Sequence, residues 1–367
     1  MKKFRVALLA NLKANAPQWD GMPKDQWDDL DSEKTVNALV NAIREGGHIC
    51  EFLEGDISIV DTVRKFKPDI CFNICESHFG DAREAQVPAI LEKLQIPYTG
   101  SQVLCLALAL DKPMTKRVLT YHDLPTPDFQ TFERVDEPLD EKMQFPLFVK
   151  PSREGTGMGV SAQSIVNHEA ELREQVGIII NRYHQAALVE TFIDGREVTV
   201  GMVGNLWGPV ARRLPYDESL PRIQAGLRFF PPMEVDLTPY LETDVVYDNR
   251  LKVDLADQLN YLCPAPLDED LVDELNWLAA AVFRVTGAGC FASGFPVERP
   301  GELEALYPGN QPLTRSFTRH LRYCDRSGCR GGWAYRAGEY DPGYRPTPLW
   351  DDRLGCQFVN NMAQRPS

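Results

Sequence analysis

Residues 145–201 constrain this chain more than any other stretch, because they join a lysine after an apolar run, a glycine-rich loop and two spaced glutamates. Phe145 to Val149 is a short apolar run suited to a strand. Lys150 closes it, and Pro151 is expected to stop ladder pairing there. Glu154-Gly155-Thr156-Gly157-Met158-Gly159 follows. Its glycines let the backbone bend sharply and bring N–H groups against phosphate oxygens. Ala187 to Glu190 is expected as a second strand, passing through Asp194-Gly195 into a third from Glu197 to Gly201. Glu190 and Glu197 would then stand at opposite ends of a tight turn. Singly, the pieces read equally as a capped strand, a flexible loop and a hairpin with exposed acids. As an ensemble they are equipment for gripping a nucleoside triphosphate.

The rest of the chain alternates strand and helix. Phe4 to Ala10 reads as a buried strand, and Thr35 to Glu45 places Val36, Leu39, Val40 and Ile43 on one helical face before Gly46-Gly47. Strands are expected over Cys50 to Leu53 and Asp69 to Ile74, with a helix containing Val60 and Val63 between them and another over Val87 to Leu94. This βαβ order implies a parallel sheet. A further strand is expected over Arg228 to Val235 and a long helix over Leu267 to Thr286. The loop between Asn11 and Asp31 is long enough to be functional or mobile.

With 367 residues and 43% hydrophobic content the chain can bury two or three cores. No apolar run reaches the roughly 18 residues of a membrane span and no charged-then-apolar leader opens the chain, so a cytoplasmic protein off the membrane is expected. A net charge of −14 argues against wholesale nucleic-acid binding. The nine cysteines fall in no zinc-type pairing and are expected to be reduced, with Cys71 and Cys75 acting as small buried hydrophobes.

The 145–201 ensemble resembles the ATP-grasp fold and, within it, the D-alanine–D-alanine ligase family. The likeness extends to Gln95-Ile-Pro-Tyr-Thr-Gly-Ser101, to Ala107-Leu-Ala-Leu-Asp-Lys112 with Thr115-Lys116, and to Tyr261-Leu-Cys-Pro-Ala265. It includes Leu124-Pro-Thr-Pro127, with Asp123 where a glycine could stand. It covers about residues 1–287. The resemblance implies an α/β protein: an N-terminal parallel-sheet (pre-ATP-grasp) domain followed by a two-subdomain ATP-grasp fold, incomplete at the C-terminus. The expected divisions are 1–110, a central subdomain 111–206 with the phosphate loop, 207–288 as the start of the last subdomain, and an aberrant tail 289–367.

What the resemblance implies chemically is an ATP- and Mg²⁺-dependent ligase. It activates a carboxylate as an acyl phosphate and lets an amine displace the phosphate, as in making D-alanyl-D-alanine for the cell wall. Lys112 and Lys150 would contact the ATP phosphates, and the lid Glu154, Gly155, Thr156, Gly157, Gly159 would close over them and exclude water. Glu190, Phe192 and Ile193 would lie beside the adenine, Glu197 would accept the ribose hydroxyls, and Lys252 would reach the γ-phosphate. Glu33 would hold the ammonium group of the first amino acid, although a merely solvated helix-face acid is an equal reading. Partners would be ATP and small amino-acid or carboxylate substrates, with a homodimer as an admissible assembly. Departures at Ala10-Asn-Leu-Lys-Ala-Asn15, Thr156-Gly157 and Val253 leave open another amino acid or small carboxylate as substrate.

The tail departs further. The family pattern needs a strand with Arg-x-Asp and then one ending Glu-x-Asn to hold two Mg²⁺ ions. The chain instead has Gly289-Cys-Phe-Ala-Ser-Gly-Phe-Pro296 and Tyr307-Pro-Gly-Asn-Gln-Pro312, so no metal ligand can be assigned. From Cys290 onward there is no isoleucine or lysine, but there are ten arginines and four of the nine cysteines. A folded α/β protein should not lose its aliphatic core inside its last domain. Read one base further on, with synonymous codons allowed, the segment from Gly289 can encode DVSRLDFRLNDQGNLKPYILEINPLPG. Gly294 and Gly309 then stand where the metal-binding Asp and Glu belong, and Gln311 where the Asn belongs. The tail therefore reads as out of frame, and a non-catalytic nucleotide-binding remnant is the alternative for the literal chain.

Overall fold

Arg5 is followed by five apolar residues without alternation, which suits a strand covered on both faces. A computed structural model describes residues 3–204, 227–237, 259–289 and, by backbone alone, 291–298. In it β1 (Arg5–Ala10) is the middle strand of a parallel sheet, flanked by β2 (Ile49–Glu54) and β3 (Ile70–Asn73). Val6, Leu8 and Ala10 pack against Val36 and Val40 of α1 (Glu33–Glu45). Ala7 and Leu9 face Val63 of α2 (Ile59–Phe66) and Leu91 of α3 (Gln86–Lys93). Ser32 caps α1 by accepting the Thr35 N–H at 3.1 Å.

Two further helices, α4 (Val103–Leu110) and α5 (Lys112–Tyr121), lead out of this sheet. Asp111 caps α5, and Pro113 sits in its first turn, where a missing N–H costs nothing. Just beyond, Asp123 has φ +55°, the left-handed conformation that the family's glycine would adopt without strain.

The central sheet is antiparallel, in the order β4 (Phe129–Phe132), β7 (Ala187–Thr191), β5 (Leu147–Pro151), β6 (Ile165–Val166). The helix α6 (Glu169–Tyr183) covers it, burying Leu172, Val176 and Ile179 against Phe132, Leu147, Val149 and Val189. A third sheet has β8 (Gly195–Gly204) between β10 (Met233–Asp236) and β12 (Phe291–Glu298), with β11 (Asn260–Leu262) beyond β10 and β9 (Leu227–Phe229) also on β8. Leu275, Leu278 and Phe283 of α7 (Glu269–Thr286) pack on Val198, Val200 and Met202 of β8, together with Leu119 of α5.

Three local expectations are corrected. Pro151 itself still pairs: it is the last residue of β5, in register with Ala187 of β7, and the ladder ends with it. Strands β7 and β8 are not a hairpin, since they belong to different sheets and residues 192–194 carry the chain between them. The strand expected over 228–235 is two strands, because Pro231-Pro232 supplies no backbone donor to continue a ladder. Within the segment that departs from the family pattern, residues 291–298 form a strand, antiparallel to β8 from Phe291↔Met202 to Glu298↔Gly195. Pro296 fits there because β12 is an edge strand among the described residues.

Candidate nucleotide site

Strand β5 delivers Lys150 and strand β7 delivers Glu190. The two strands are neighbours, with Phe148 opposite Glu190 and Lys150 opposite Leu188. Lys150 Nζ lies 2.7 Å from Glu190 Oε1. Lys116 Nζ lies 3.1 Å from Glu190 Oε2 and donates to Thr126 Oγ1 at 2.7 Å. All three charged side chains are buried. Two ammonium groups therefore share one carboxylate, and the trio carries a formal surplus of one positive charge. Buried charge of that sign favours an anionic ligand.

Lys112 and Lys116 are four residues apart and both buried on α5, so one helical face aims two cations at the site. Lys112 Nζ donates to the backbone carbonyl of Glu154. A pocket here is lined by Lys112, Phe148, Lys150, Gly157, Met158 and Val160. Its roof is the glycine-rich loop. Thr156, Gly157 and Gly159 have φ of 54°, 77° and 71°, all left-handed. A Cβ at Gly159 would meet Pro151 Cγ at 2.5 Å, so only glycine lets the loop lie this close to β5. Met158 is buried, and its N–H donates to Gly155 O at 3.0 Å.

Glu154 is held by its side chain as well. Its carboxylate accepts Arg83 Nη2 at 2.9 Å and Gln185 Nε2 at 2.8 Å. Burial pushes its carboxyl above the usual range, with Arg83 opposing. Phe192 stacks at 24° on Phe148 with ring centres 6.3 Å apart, and Ile193 is buried beside it. Glu197 is half-buried on β8, opposite Val235 and Pro296. The structure thus sets Lys112, Lys150, Glu154 and Gly157 along one pocket, with Gly155, Thr156 and Gly159 in the same loop; Glu190 reaches it through Lys150 and Phe192 through Phe148, while Ile193 is buried with no contact that places it there. Glu33 is exposed at the start of α1, away from these contacts in the hydrogen-bond pattern. Lys252, Gly309 and Gln311 lie outside the described residues.

The resemblance assigns Lys116 no role, and its spacing of four from Lys112 is the sequence signal that sets both on one helical face. Arg83 and Gln185 carried no such signal, since only the fold brings them to Glu154. Among the described residues no group of three or more His, Cys, Asp or Glu side chains could hold a metal ion. Position 294 on β12 is a glycine, without a donor atom. Among the described residues no set of side chains fits Mg²⁺. Cys50, Cys71, Cys75, Cys105 and Cys263 form no disulfide. Cys71 and Cys75 are buried, as expected of small hydrophobes, and burial pushes the Cys71 thiol up to about 12.

A parallel sheet, a central antiparallel sheet with a glycine-rich loop over its lysine-lined pocket, and a second antiparallel sheet that follows it in the chain together make the ATP-grasp architecture. A D-alanine–D-alanine ligase of Bacillus anthracis, solved in complex with ATP, has the same fold, with a TM-score of 0.55 at 16% identity over 81% of this chain and 82% of that one. The family profile described as D-ala D-ala ligase C-terminus matches residues 118–214. The D-alanine–D-alanine ligase of Syntrophotalea carbinolica is 31% identical over 256 residues, 70% of this chain and 73% of that protein. The chain belongs to the D-alanine–D-alanine ligase family. An uncharacterized protein of Sinorhizobium fredii, y4sG, is 36% identical over 180 residues, and there the chain spans 52% of the relative. Among the described residues no helix is long and apolar enough to cross a membrane.

Proposed function

We propose that this protein, in its correct reading frame, is a cytoplasmic, ATP- and Mg²⁺-dependent carboxylate–amine ligase. The reading rests on Glu190 held between Lys116 and Lys150, with Lys150 and Lys112 lining the pocket under the glycine-rich loop. An anionic carboxylate must approach an anionic γ-phosphate, and Lys112 and Lys150 supply cations where that repulsion has to be neutralised. The loop 154–159 keeps water from the acyl phosphate. Phe192, Ile193 and Glu190 take the adenine, Glu197 takes the ribose, Lys252 takes the γ-phosphate and Glu33 takes the first ammonium group. D-Alanyl-D-alanine for peptidoglycan is the product suggested by the family. The departures after β1 and at Thr156-Gly157 favour testing other amino acids beside D-alanine.

Phosphate release measured with Mg²⁺, ATP and D-alanine against a panel of amino acids and small carboxylates tests the reading. Turnover with D-alanine alone supports the dipeptide ligase. Turnover only with another substrate moves the protein to a different ligase, and ATP binding without turnover in the frame-restored protein overturns the catalytic reading.

A further inference from the structure

The segment 11–31, which follows β1, meets the glycine-rich loop. Asp25 Oδ2 accepts the Gly159 N–H at 2.8 Å, and the same carboxylate accepts the Tyr183 O–H, with 2.9 Å to each of its oxygens. Tyr183 ends α6 and packs on the loop itself, since a Cβ at Gly159 would lie 3.2 Å from its ring. Four residues on, Asp29 Oδ2 takes Arg83 Nη2 at 3.2 Å. Arg83 also holds Glu154 and donates through Nη1 to the Arg153 carbonyl at 3.0 Å. Both ends of the loop are thus tied to the N-terminal domain, one through Asp25 and the other through Asp29 and Arg83.

The segment carrying these acids is itself anchored. Trp27 is buried, donates from Nε1 to Pro17 O at 2.7 Å, and meets His78 and Phe79 edge-on at 5.3 and 5.9 Å. Asp25 and Asp29 are therefore presented from a fixed platform. Asp25 engages the loop at the Gly159 N–H and is not among the residues that line the pocket with Lys112 and Lys150. We propose that Asp25 is a positioning residue that latches the phosphate loop shut, making loop closure depend on the N-terminal domain. The proposal rests on the nucleotide-site reading above. Its physical content is a carboxylate hydrogen bond to a backbone N–H in a glycine loop, the kind of contact that holds an otherwise permissive backbone in one state.

Hydrogen exchange of the full 367-residue chain, read by mass spectrometry over residues 154–160, tests the latch. Asp25→Ala is expected to speed exchange there by about tenfold or more, the lower range for a hydrogen bond to a charged group. Asp25→Asn keeps an acceptor and should recover most of the protection, while Tyr183→Phe removes one arm and should give an intermediate rate. Exchange in β1 and α1 should not change, which separates a latch from general unfolding. ATP affinity by calorimetry should fall several-fold in Asp25→Ala. Loop exchange in Asp25→Ala and Tyr183→Phe within twofold of the parent overturns the proposal, as does a loosened loop with unaltered ATP affinity. A parent chain that binds no ATP, yet loosens its loop in Asp25→Ala, faults the nucleotide reading and leaves the mechanical latch in place.

Discussion

Lys150 and Glu190 lie on adjacent strands and meet at 2.7 Å, Nζ to Oε1, with only 3% and 1% of their side chains exposed. Water screens such a pair weakly, so its charges act on whatever enters the pocket. Lys150→Ala should weaken ATP binding by about 1.5–3 kcal/mol, the range of a charge-assisted hydrogen bond. Calorimetry on the frame-restored protein measures this, and an unchanged affinity would remove Lys150 from the site.

Glu190 also carries a structural load, because Lys116 shares it at 3.1 Å. Glu190→Ala takes away the carboxylate common to two buried ammonium groups. Removing one member of a buried ion pair costs about 3–5 kcal/mol. Urea unfolding should register a loss of that size; a loss under about 1 kcal/mol would mean that the lysines are neutralised elsewhere.

Two glycines in the loop should respond unequally to the same change. Gly159→Ala places a Cβ 2.5 Å from Pro151 Cγ at a φ of +71°, and a left-handed non-glycine residue alone costs about 1–3 kcal/mol. Gly155 has open space and no left-handed φ, so Gly155→Ala should stay within about 0.5 kcal/mol of the parent. Paired unfolding curves decide it, and equal effects at both positions would contradict the loop conformation.

The buried Cys71 thiol gives a pH signature. Its folded value of about 12 lies above the ordinary 9.0, so the folded state holds the proton more tightly than the unfolded state. Its stabilising contribution is complete below pH 9 and is lost as pH rises through about 12. Cys71→Val should flatten that alkaline decline in a series of unfolding curves. Identical pH profiles for parent and variant would show that Cys71 does not titrate as a buried thiol.

Much of this architecture was legible because local chemistry and fold agree. The uninterrupted apolar run after Arg5, the helical spacing of Val36 and Val40, and the left-handed glycines at 157 and 159 each report a local requirement. Asp123 is a similar case: a residue that tolerates a left-handed φ stands where a glycine was wanted. Pairing was less legible. Nothing local says that β7 and β8 belong to separate sheets, since a short connection with Asp194-Gly195 looks the same in a hairpin. Asp25 and Arg83 were illegible for a stronger reason. Gly159 is 134 residues from Asp25, and Glu154 is 71 from Arg83, so only tertiary structure creates their roles.

The last prediction concerns the end of the chain. Strand β12 runs antiparallel to β8 and places Gly294 opposite Thr199, so the backbone position for an Arg-x-Asp strand exists while its acid does not. Deleting one coding base shortly before codon 289 should supply Arg-x-Asp on this strand, Glu-x-Asn on the next, and aliphatic side chains for the sheet. Oxygen ligands for Mg²⁺ would then stand on β12 and the strand after it, in a chain whose pocket already has its lysines. The 367-residue chain should release little or no phosphate with Mg²⁺, ATP and amino acids, whereas the restored chain should do so. The nucleotide sequence across codons 285–310 gives an independent check. Turnover by the literal chain at typical enzyme rates of about 1–10³ s⁻¹ would refute the frameshift and require other residues to bind the metal.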